Sequence, residues 1–201
     1  MRRLTDPEFM FLFDPPPPDE WVALDTETTG LNVRSDDIVS VGAVRIVGNR
    51  ILTSERLEML VQPRRPPSPD SVVIHRLRGR DLAAGLPVEE ALRRLLRFVG
   101  SRPLVGYFLE FDVAMINRIL VPMLGVELPQ PKIEVSALYH DYKFARLPPY
   151  AQQGNVTIDL SFAHLMADLG LPVRGTHDAV NDAVMAALAF IKLRELVVAG
   201  S

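Results

Sequence analysis

The sequence predicts an α/β fold in which helices cover both faces of a mixed sheet. Three strand-like segments come first, and segments of helical spacing then alternate with short apolar ones. This order is typical of a mixed sheet between helical layers. With 201 residues, 48% of them apolar, the chain can bury one substantial core. We therefore expect a single domain.

The first twenty residues are expected to lie outside that domain. They include four consecutive prolines, Pro15–Pro18, a stiff run that cannot enter a sheet or a helix interior. We therefore predict a proline-rich arm at residues 1–20 and a single folded domain at residues 21–198. A spacer is the favoured role of the arm, and a docking site for a proline-recognising partner is the alternative.

Three strands are predicted next. The first runs from Trp21 to Leu24 into an acidic motif, and the others cover residues 38–47 and 51–61. Gly48-Asn49-Arg50 suits a hairpin turn, so the strands should form an antiparallel meander. Four prolines make residues 63–69 a predicted loop.

Helices and short strands alternate in the rest of the chain. The predicted order is a helix at 88–99, a strand at 103–107, a helix at 112–120, a strand passing into a helix at 133–138, a helix at 161–169 and a long helix at 178–197.

Composition excludes several classes of protein. Cysteine is absent, which rules out disulfides and thiolate chemistry and suits a reducing compartment. The longest apolar run, residues 183–191, is far shorter than the ~20 residues of a membrane helix. Charges and a proline occupy the start, where a signal peptide needs an apolar core. We expect a soluble, cytoplasmic protein with no membrane partner.

Arginines are concentrated between residues 64 and 102. This segment holds nine arginines and four acidic residues, although the whole chain has a net charge of −3. Arginines can hold a polyanion. A basic segment that lies beside acidic metal ligands, such as the candidates described below, would therefore suit an enzyme that acts on phosphate esters. For Arg93, Arg94 and Arg97, a solvent-exposed helix face is the favoured alternative. His75 lies in the segment and is a candidate substrate contact.

An acidic pair follows the first predicted strand. Asp25 and Glu27 are two residues apart, so they project from the same face of a strand while Thr26 points to the other face. The pair can therefore share a metal ion, and the cheapest cation for oxygen ligands is a hard divalent metal. Thr28-Thr29-Gly30 then turns the chain at a strand end, where α/β folds open a binding crevice.

Two further carboxylates are candidate ligands. Asp112 follows Phe111 at the start of a predicted helix, where an N-terminal cap is the open alternative. Asp182 lies on an apolar helix with no lysine or arginine between Arg174 and Lys192. Because a buried, unpaired carboxylate costs several kcal/mol, a metal ion is its expected partner.

His177 is the candidate proton acceptor. It lies five residues before Asp182, about 140° around a helix, so the two cannot face one site from a regular helix. We therefore place His177 on the preceding loop, from which it could reach a reacting water. A capping or packing role is the alternative.

Together these motifs resemble a known family. Residues 25–30 (DTETTG), Phe111-Asp112 and residues 177–183 (HDAVNDA) are similar, in order and separation, to the three exonuclease motifs of the DnaQ-like, DEDDh family. That family of 3′-to-5′ exonucleases includes the proofreading (epsilon) subunit of bacterial DNA polymerase III. The resemblance covers about residues 21–195.

The resemblance implies a ribonuclease-H-like fold and a site with two Mg²⁺ or Mn²⁺ ions. Asp25, Glu27 and Asp182 would gather one ion, and Asp25 would bridge to a second that Asp112 contacts through water. His177 would be the general base.

It also implies substrate contacts. Leu31 would lie against the terminal base, and Thr28 would contact the 3′ end. At the positions where family members commonly carry His-Asn, this chain has Tyr107 and Phe108. Both could stack on bases. We retain Tyr107 as a substrate contact and predict Phe108 to be a core residue.

The implied function is metal-dependent release of nucleoside 5′-monophosphates from the 3′ ends of single-stranded DNA. The alternatives are the same reaction on RNA or oligoribonucleotides, and a nucleic-acid-binding accessory role without hydrolysis. The sequence ends soon after its last predicted helix, so we expect at most a loose association with a DNA polymerase. The oligomeric state is left open.

Overall fold

A computed structural model describes residues 4–64, 82–154, 156–175 and 177–199. Within these ranges the chain forms one mixed sheet with helices on both faces, so the predicted α/β class is confirmed. His75, most of the predicted loop at residues 63–69, and Arg65, Arg76, Arg78 and Arg80 lie outside the described residues.

The sheet has the order β3-β2-β1-β4-β5, with β1 at its centre. β1 pairs antiparallel with β2, which pairs antiparallel with β3, so the predicted meander is confirmed. β4 and β5 extend the sheet in parallel on the other side of β1. The strands are β1 (Glu20–Thr28), β2 (Ile38–Val47), β3 (Arg50–Leu60), β4 (Leu104–Gly106) and β5 (Lys132–Glu134).

Among the described residues, the α-helices follow the predicted order with one addition. They are α1 (Val88–Val99), α2 (Leu109–Leu124), α3 (Val135–Phe144), α4 (Pro149–Gln152), α5 (Phe162–Asp168) and α6 (Ala179–Ala199). The short α4 was not predicted, and α2 begins at Leu109 rather than Asp112. Within the described ranges, none of these helices has the length and apolar character needed to cross a bilayer.

Each face of the sheet has its own core. Val22 and Leu24 of β1 pack in one cluster with α1 and α2, whereas Ala23 packs in a second cluster with α3, α5 and α6. Side chains alternate along a strand, so even-numbered residues of β1 face α2 and odd-numbered residues face α6. This alternation decides from which layer each candidate site residue approaches the end of β1.

The N-terminal segment differs from the predicted arm. Residues Pro7–Phe13 form a 3₁₀ helix, and Phe9 and Leu12 are buried in the first core cluster. The Thr5 N–H donates to the Leu124 carbonyl at 2.9 Å, which ties the segment to the end of α2. Phe9 and Leu12 are large apolar side chains, and their burial stabilises the packed position. The segment is thus part of the core rather than a spacer.

The described arginines of the basic segment are held by acidic side chains of the same chain. The pairs are Arg64 with Asp37, Arg93 with Asp6, Arg94 with Glu90, Arg97 with Glu8 and Arg102 with Glu20. For Arg93, Arg94 and Arg97 this favours the alternative of an ordinary helix surface over phosphate binding.

Candidate active site

A cleft of about 630 Å³ opens at the C-terminal end of β1. Its lining includes all five predicted catalytic residues: Asp25, Glu27, Asp112, His177 and Asp182. Three of the predicted substrate contacts, Thr28, Leu31 and Tyr107, line it as well. Residues from three separate parts of the chain therefore meet at the strand end, as the motifs predicted.

Asp25, Glu27 and Asp182 approach the cleft from the α6 side of the sheet. Gly42 is the register partner of Asp25 on β2, and a Cβ at Gly42 would lie 2.2 Å from the backbone carbon of Ala179. Only glycine permits this close approach of a helix backbone to a strand. Gly42 thus allows the first turn of α6, with Asp182, to lie against Asp25.

Asp112 arrives from the opposite layer. Its Oδ1 accepts hydrogen bonds from the Thr26 N–H at 2.8 Å and from the Thr26 hydroxyl at 2.5 Å. Thr26 does point away from Asp25 and Glu27, as predicted, but the face it points to holds Asp112. Phe108 takes the N-cap position of α2, so Asp112 is not the cap of that helix. Thr26 orients Asp112, a role that the sequence reading missed.

His177 lies on the loop before α6, in agreement with its predicted position. It is exposed and has a left-handed backbone (φ 64°), and its N–H donates to Asp182 Oδ2 at 2.9 Å. Asp178, one residue later, caps α6 by accepting from the Asn181 N–H at 3.0 Å. The cap and the bond to Asp182 fix the backbone of His177, while its imidazole remains on the open side of the cleft.

The carboxyl groups of the cleft disfavour one another's ionisation. Burial, and then the charges of Asp112, Asp182 and Glu27, raise the pKa of Asp25 well above its usual value. Burial, followed by the charge of Asp182, raises the pKa of Glu27 to about 7. Burial likewise raises the pKa of Asp112 to about 7, although the Thr26 hydrogen bonds lower it, and burial raises the pKa of Asp182.

These groups fit a hard divalent cation. Glu27, His177 and Asp182 each offer a ligand atom, and these atoms all lie within 4.8 Å of one another. The carboxylates supply the oxygen ligands that Mg²⁺ and Mn²⁺ favour. A cation would also remove the repulsion that raises the carboxyl pKa values. The resemblance implied Asp25 in place of His177 in this ligand set.

The turn after β1 is held by its own hydrogen bonds. The Thr28 hydroxyl donates to the Gly30 carbonyl at 2.7 Å, and Asp36 accepts from the Asn32 N–H at 2.8 Å. A Cβ at Gly30 would lie 2.6 Å from the Asp36 carboxylate, so a larger residue there would displace that side chain. Leu31 stands at the tip with 85% of its surface exposed, which leaves it free to contact a ligand in the cleft.

The prediction that Phe108 is a core residue was wrong. Its side chain is 68% exposed on the cleft, and its backbone is left-handed (φ 56°). The chain reverses here between β4 and α2, and Tyr107 takes the inner position. The Tyr107 hydroxyl donates to the Leu160 carbonyl at 2.9 Å, and its ring lies 4.6 Å from that of Phe162.

Glu134 is a second residue that the sequence reading missed. Its carboxylate accepts from the N–H groups of Phe108 and Leu109, and also from the N–H and hydroxyl of Ser136. One side chain thus satisfies the starts of both α2 and α3. Because Glu134 accepts from the N–H groups of Phe108 and Leu109, α2 can begin at Leu109, before Asp112.

Comparison with known proteins identifies the family. The pattern of the exonuclease family (RNase_T) matches residues 22–190. This chain belongs to that family. DNA polymerase III subunit epsilon of Aquifex aeolicus is 30% identical over 178 residues, which cover 87% of this chain and 80% of that protein. An epsilon-like protein of Rhodobacter capsulatus is also 30% identical, over 86% of this chain but only 23% of its own length.

Solved exonuclease structures share the fold. Exonuclease X in complex with 5′-overhanging duplex DNA has a TM-score of 0.65 and 25% identity, and the match covers 87% of this chain and 91% of that one. E. coli exonuclease I in complex with a dT13 oligonucleotide has a TM-score of 0.67, covering 88% and 41%. At 19% identity, this second likeness concerns the fold alone.

The family and the fold agree with the resemblance found in the sequence. The chain is a DnaQ-like 3′-to-5′ exonuclease with a ribonuclease-H-like fold, and hence a phosphodiester hydrolase. Enzymes of this family generally use divalent metal ions.

Proposed function

We propose that this exonuclease removes nucleotides one at a time from the 3′ ends of single-stranded DNA and releases nucleoside 5′-monophosphates. The main support is the meeting of Asp25, Glu27, Asp112, His177 and Asp182 in one cleft. The cleft is open at the end of the sheet and lined by exposed apolar side chains, which suits an unpaired strand end.

Each polar group has a proposed role. Asp25, Glu27, Asp112 and Asp182 hold two Mg²⁺ or Mn²⁺ ions, and His177 accepts the proton of the attacking water. When bound, the ions would activate that water and stabilise the leaving 3′ oxygen. The open position of His177 beside Glu27 and Asp182 favours proton transfer to solvent.

The substrate contacts are assigned to the rim. We propose that Leu31 lies against the terminal base and that Thr28 contacts the 3′ end through its backbone. We also propose that Tyr107 contacts the substrate from the inner wall of the cleft. The Thr28 hydroxyl already donates to the Gly30 carbonyl, which favours the backbone over the hydroxyl for this contact. His75 remains a proposed contact from the arginine-rich segment.

The direct test is degradation of a single-stranded oligonucleotide labelled at its 5′ end. We expect a ladder that shortens from the 3′ end with Mg²⁺ or Mn²⁺, no ladder with EDTA, and none with Asp25→Ala. Glu110→Gln is the matched control, because Glu110 is exposed and lies only two residues from Asp112. Cleavage by Asp25→Ala at the normal rate would contradict the proposal.

The alternatives differ in outcome. Faster shortening of a matched RNA strand would assign the enzyme to RNA or oligoribonucleotides. Equal strand binding by the unmodified protein and Asp25→Ala, with no ladder in either, would indicate an accessory role. The family assignment and the intact set of polar groups favour hydrolysis.

Partners and location are proposed more broadly. Relatives named as subunits of DNA polymerase III lead us to propose a loose association with a polymerase. Gel filtration with a candidate polymerase tests it, and we expect no stable co-elution. The lack of cysteine suits the reducing cytoplasm that we propose as the location.

A further inference from the structure

Phe108 is fixed on the rim of the cleft by its backbone. Its left-handed conformation (φ 56°, ψ 31°) is unfavourable for a residue with a bulky side chain. The Glu134 carboxylate compensates by accepting from the Phe108 N–H at 3.1 Å and from the Leu109 N–H at 2.9 Å. Strained residues held in this way are concentrated at functional sites.

The ring of Phe108 is also oriented. It meets Tyr107 edge to face, with ring centres 4.8 Å apart and planes at 86°. Tyr107 is in turn anchored by the Leu160 carbonyl and by Phe162. Because Phe108 is 68% exposed, its ring keeps surface available to a planar ligand beside the contact with Tyr107.

The position of Phe108 limits what that ligand can be. It lines the same cleft as Asp25, Glu27, Asp112 and Asp182, where the scissile phosphate must lie if the proposed function is correct. The groups that can reach the ring are then the two nucleotides on either side of that phosphate. Nucleobases stack on aromatic rings with little regard to sequence.

We propose that Phe108 stacks on an unpaired nucleobase of one of these two nucleotides. This inference rests on the proposed function and adds a residue that selects the substrate. A base inside a duplex has both faces covered by its neighbours, so the contact favours frayed or single-stranded ends over paired ends.

The test is a cycle that combines protein variants with abasic substrates. The strands carry an abasic site at the terminal, the penultimate or the fifth position from the 3′ end, or none. The variants are Phe108→Ala, Phe108→Trp and Phe108→Asn, the last because asparagine tolerates the left-handed backbone. Tyr150→Ala is the control, since Tyr150 is 81% exposed on α4 outside the cleft lining.

On the unmodified strand we expect Phe108→Ala and Phe108→Asn to lower kcat/KM about 10-fold, mainly through KM, while Phe108→Trp keeps it. An abasic site at one of the two flanking positions should reduce the loss to less than about 2-fold. An abasic site at the fifth position should leave the loss unchanged, and Tyr150→Ala should not change kcat/KM. The same loss on every strand would overturn the inference.

A binding measurement separates this inference from the proposed function. With Ca²⁺ in place of Mg²⁺ and 2-aminopurine at the flanking positions, stacking quenches fluorescence in the unmodified protein and less so in Phe108→Ala. If the unmodified enzyme shortens strands but neither readout depends on Phe108, only the stacking inference is wrong. If it shortens no strand, the proposed function is wrong, and the quenching still tests the stacking.

Discussion

The cleft and the N-terminal segment each contain acidic side chains, but their surroundings are opposite. Asp6 and Glu8 pair with Arg93 and Arg97, at 3.0 and 2.6 Å. The hydrogen bond from Arg93 lowers the pKa of Asp6. In the cleft, burial and neighbouring carboxylates raise the pKa of Asp25 instead. The N-terminal acidic groups are neutralised by arginines of the same chain, whereas a bound cation would be needed to neutralise the carboxylates of the cleft.

The aromatic side chains of the two regions also have opposite surroundings. Phe9 of the 3₁₀ helix is fully buried, with the guanidinium groups of Arg93 and Arg97 within 6 Å of its ring centre, at 5.3 and 5.7 Å. Phe108 stands exposed on the cleft in a strained conformation. The N-terminal segment therefore stabilises the fold, while the cleft, our proposed active site, contains features that lower stability.

The largest expected effect separates activity from stability within the cleft. Asp25→Asn should lower kcat by about 10²–10³-fold or more, because it removes a charge that we propose as a ligand of the metal ions. It should also raise the melting temperature of the metal-free protein at pH 8, since it removes a buried ionisable group and its repulsion with Asp112, Asp182 and Glu27. A lower metal-free melting temperature would contradict this account.

The second expected effect, in the N-terminal segment, is a loss of stability without a loss of activity. Phe9→Ala should lower the free energy of unfolding by about 3–5 kcal/mol, because it opens a cavity in the core. The kcat of the folded protein should not change. Urea denaturation measures the loss, with Phe13→Ala as control, since Phe13 is 50% exposed on the same 3₁₀ helix. A loss below about 1 kcal/mol for Phe9→Ala would return the segment to the role of a spacer.

A smaller effect tests how the two layers are joined. Thr26→Val removes one of the two hydrogen bonds to Asp112 Oδ1 while keeping the side-chain volume. At limiting Mg²⁺ we expect kcat/KM to fall about 10–100-fold, as for other groups that orient metal ligands. Thr26→Ser, which keeps the hydroxyl, should stay close to the unmodified enzyme. Equal losses in both variants would show that packing matters, not the hydrogen bond.

The smallest effect is a pH dependence of stability. Glu27 and Asp112 have pKa values of about 7 in the fold, above their usual 4.5 and 3.8. The unfolded chain therefore loses these protons at lower pH than the folded chain does. Their contribution to stability is greatest below about pH 4 and is lost as the pH rises through about 7.

Thermal melting tests this dependence. In EDTA the melting temperature should fall by several °C between pH 5 and pH 8, since about 1 kcal/mol shifts it by about 2–4 °C in a chain of this size. Mg²⁺ should remove most of the fall, and Asp25→Asn should reduce it, because the pKa of Asp25 is raised as well. A melting temperature that rises with pH in EDTA would contradict the raised pKa values.

The motifs and the strand periodicity predicted much of the site. Asp25 and Glu27 were predicted to share a face because side chains alternate along a strand. His177 was predicted to lie on a loop because it could not share a helical face with Asp182. The close approach at Gly42 could have been predicted, since a glycine within a strand often marks a site where another backbone comes near. The role of Glu134 could not have been predicted, because it depends on the start of α2, which is distant in sequence.

The sequence by itself determined the fold class, the order of the elements and the acidic groups, because periodicity and motif spacing are local properties of the chain. Only the tertiary structure decided that Asp112 reaches the cleft from the face opposite Asp182, that Phe108 is exposed and that Phe9 is buried. These outcomes depend on which surfaces pack together. Packing is a relation between distant segments, and no local pattern in one segment encodes it.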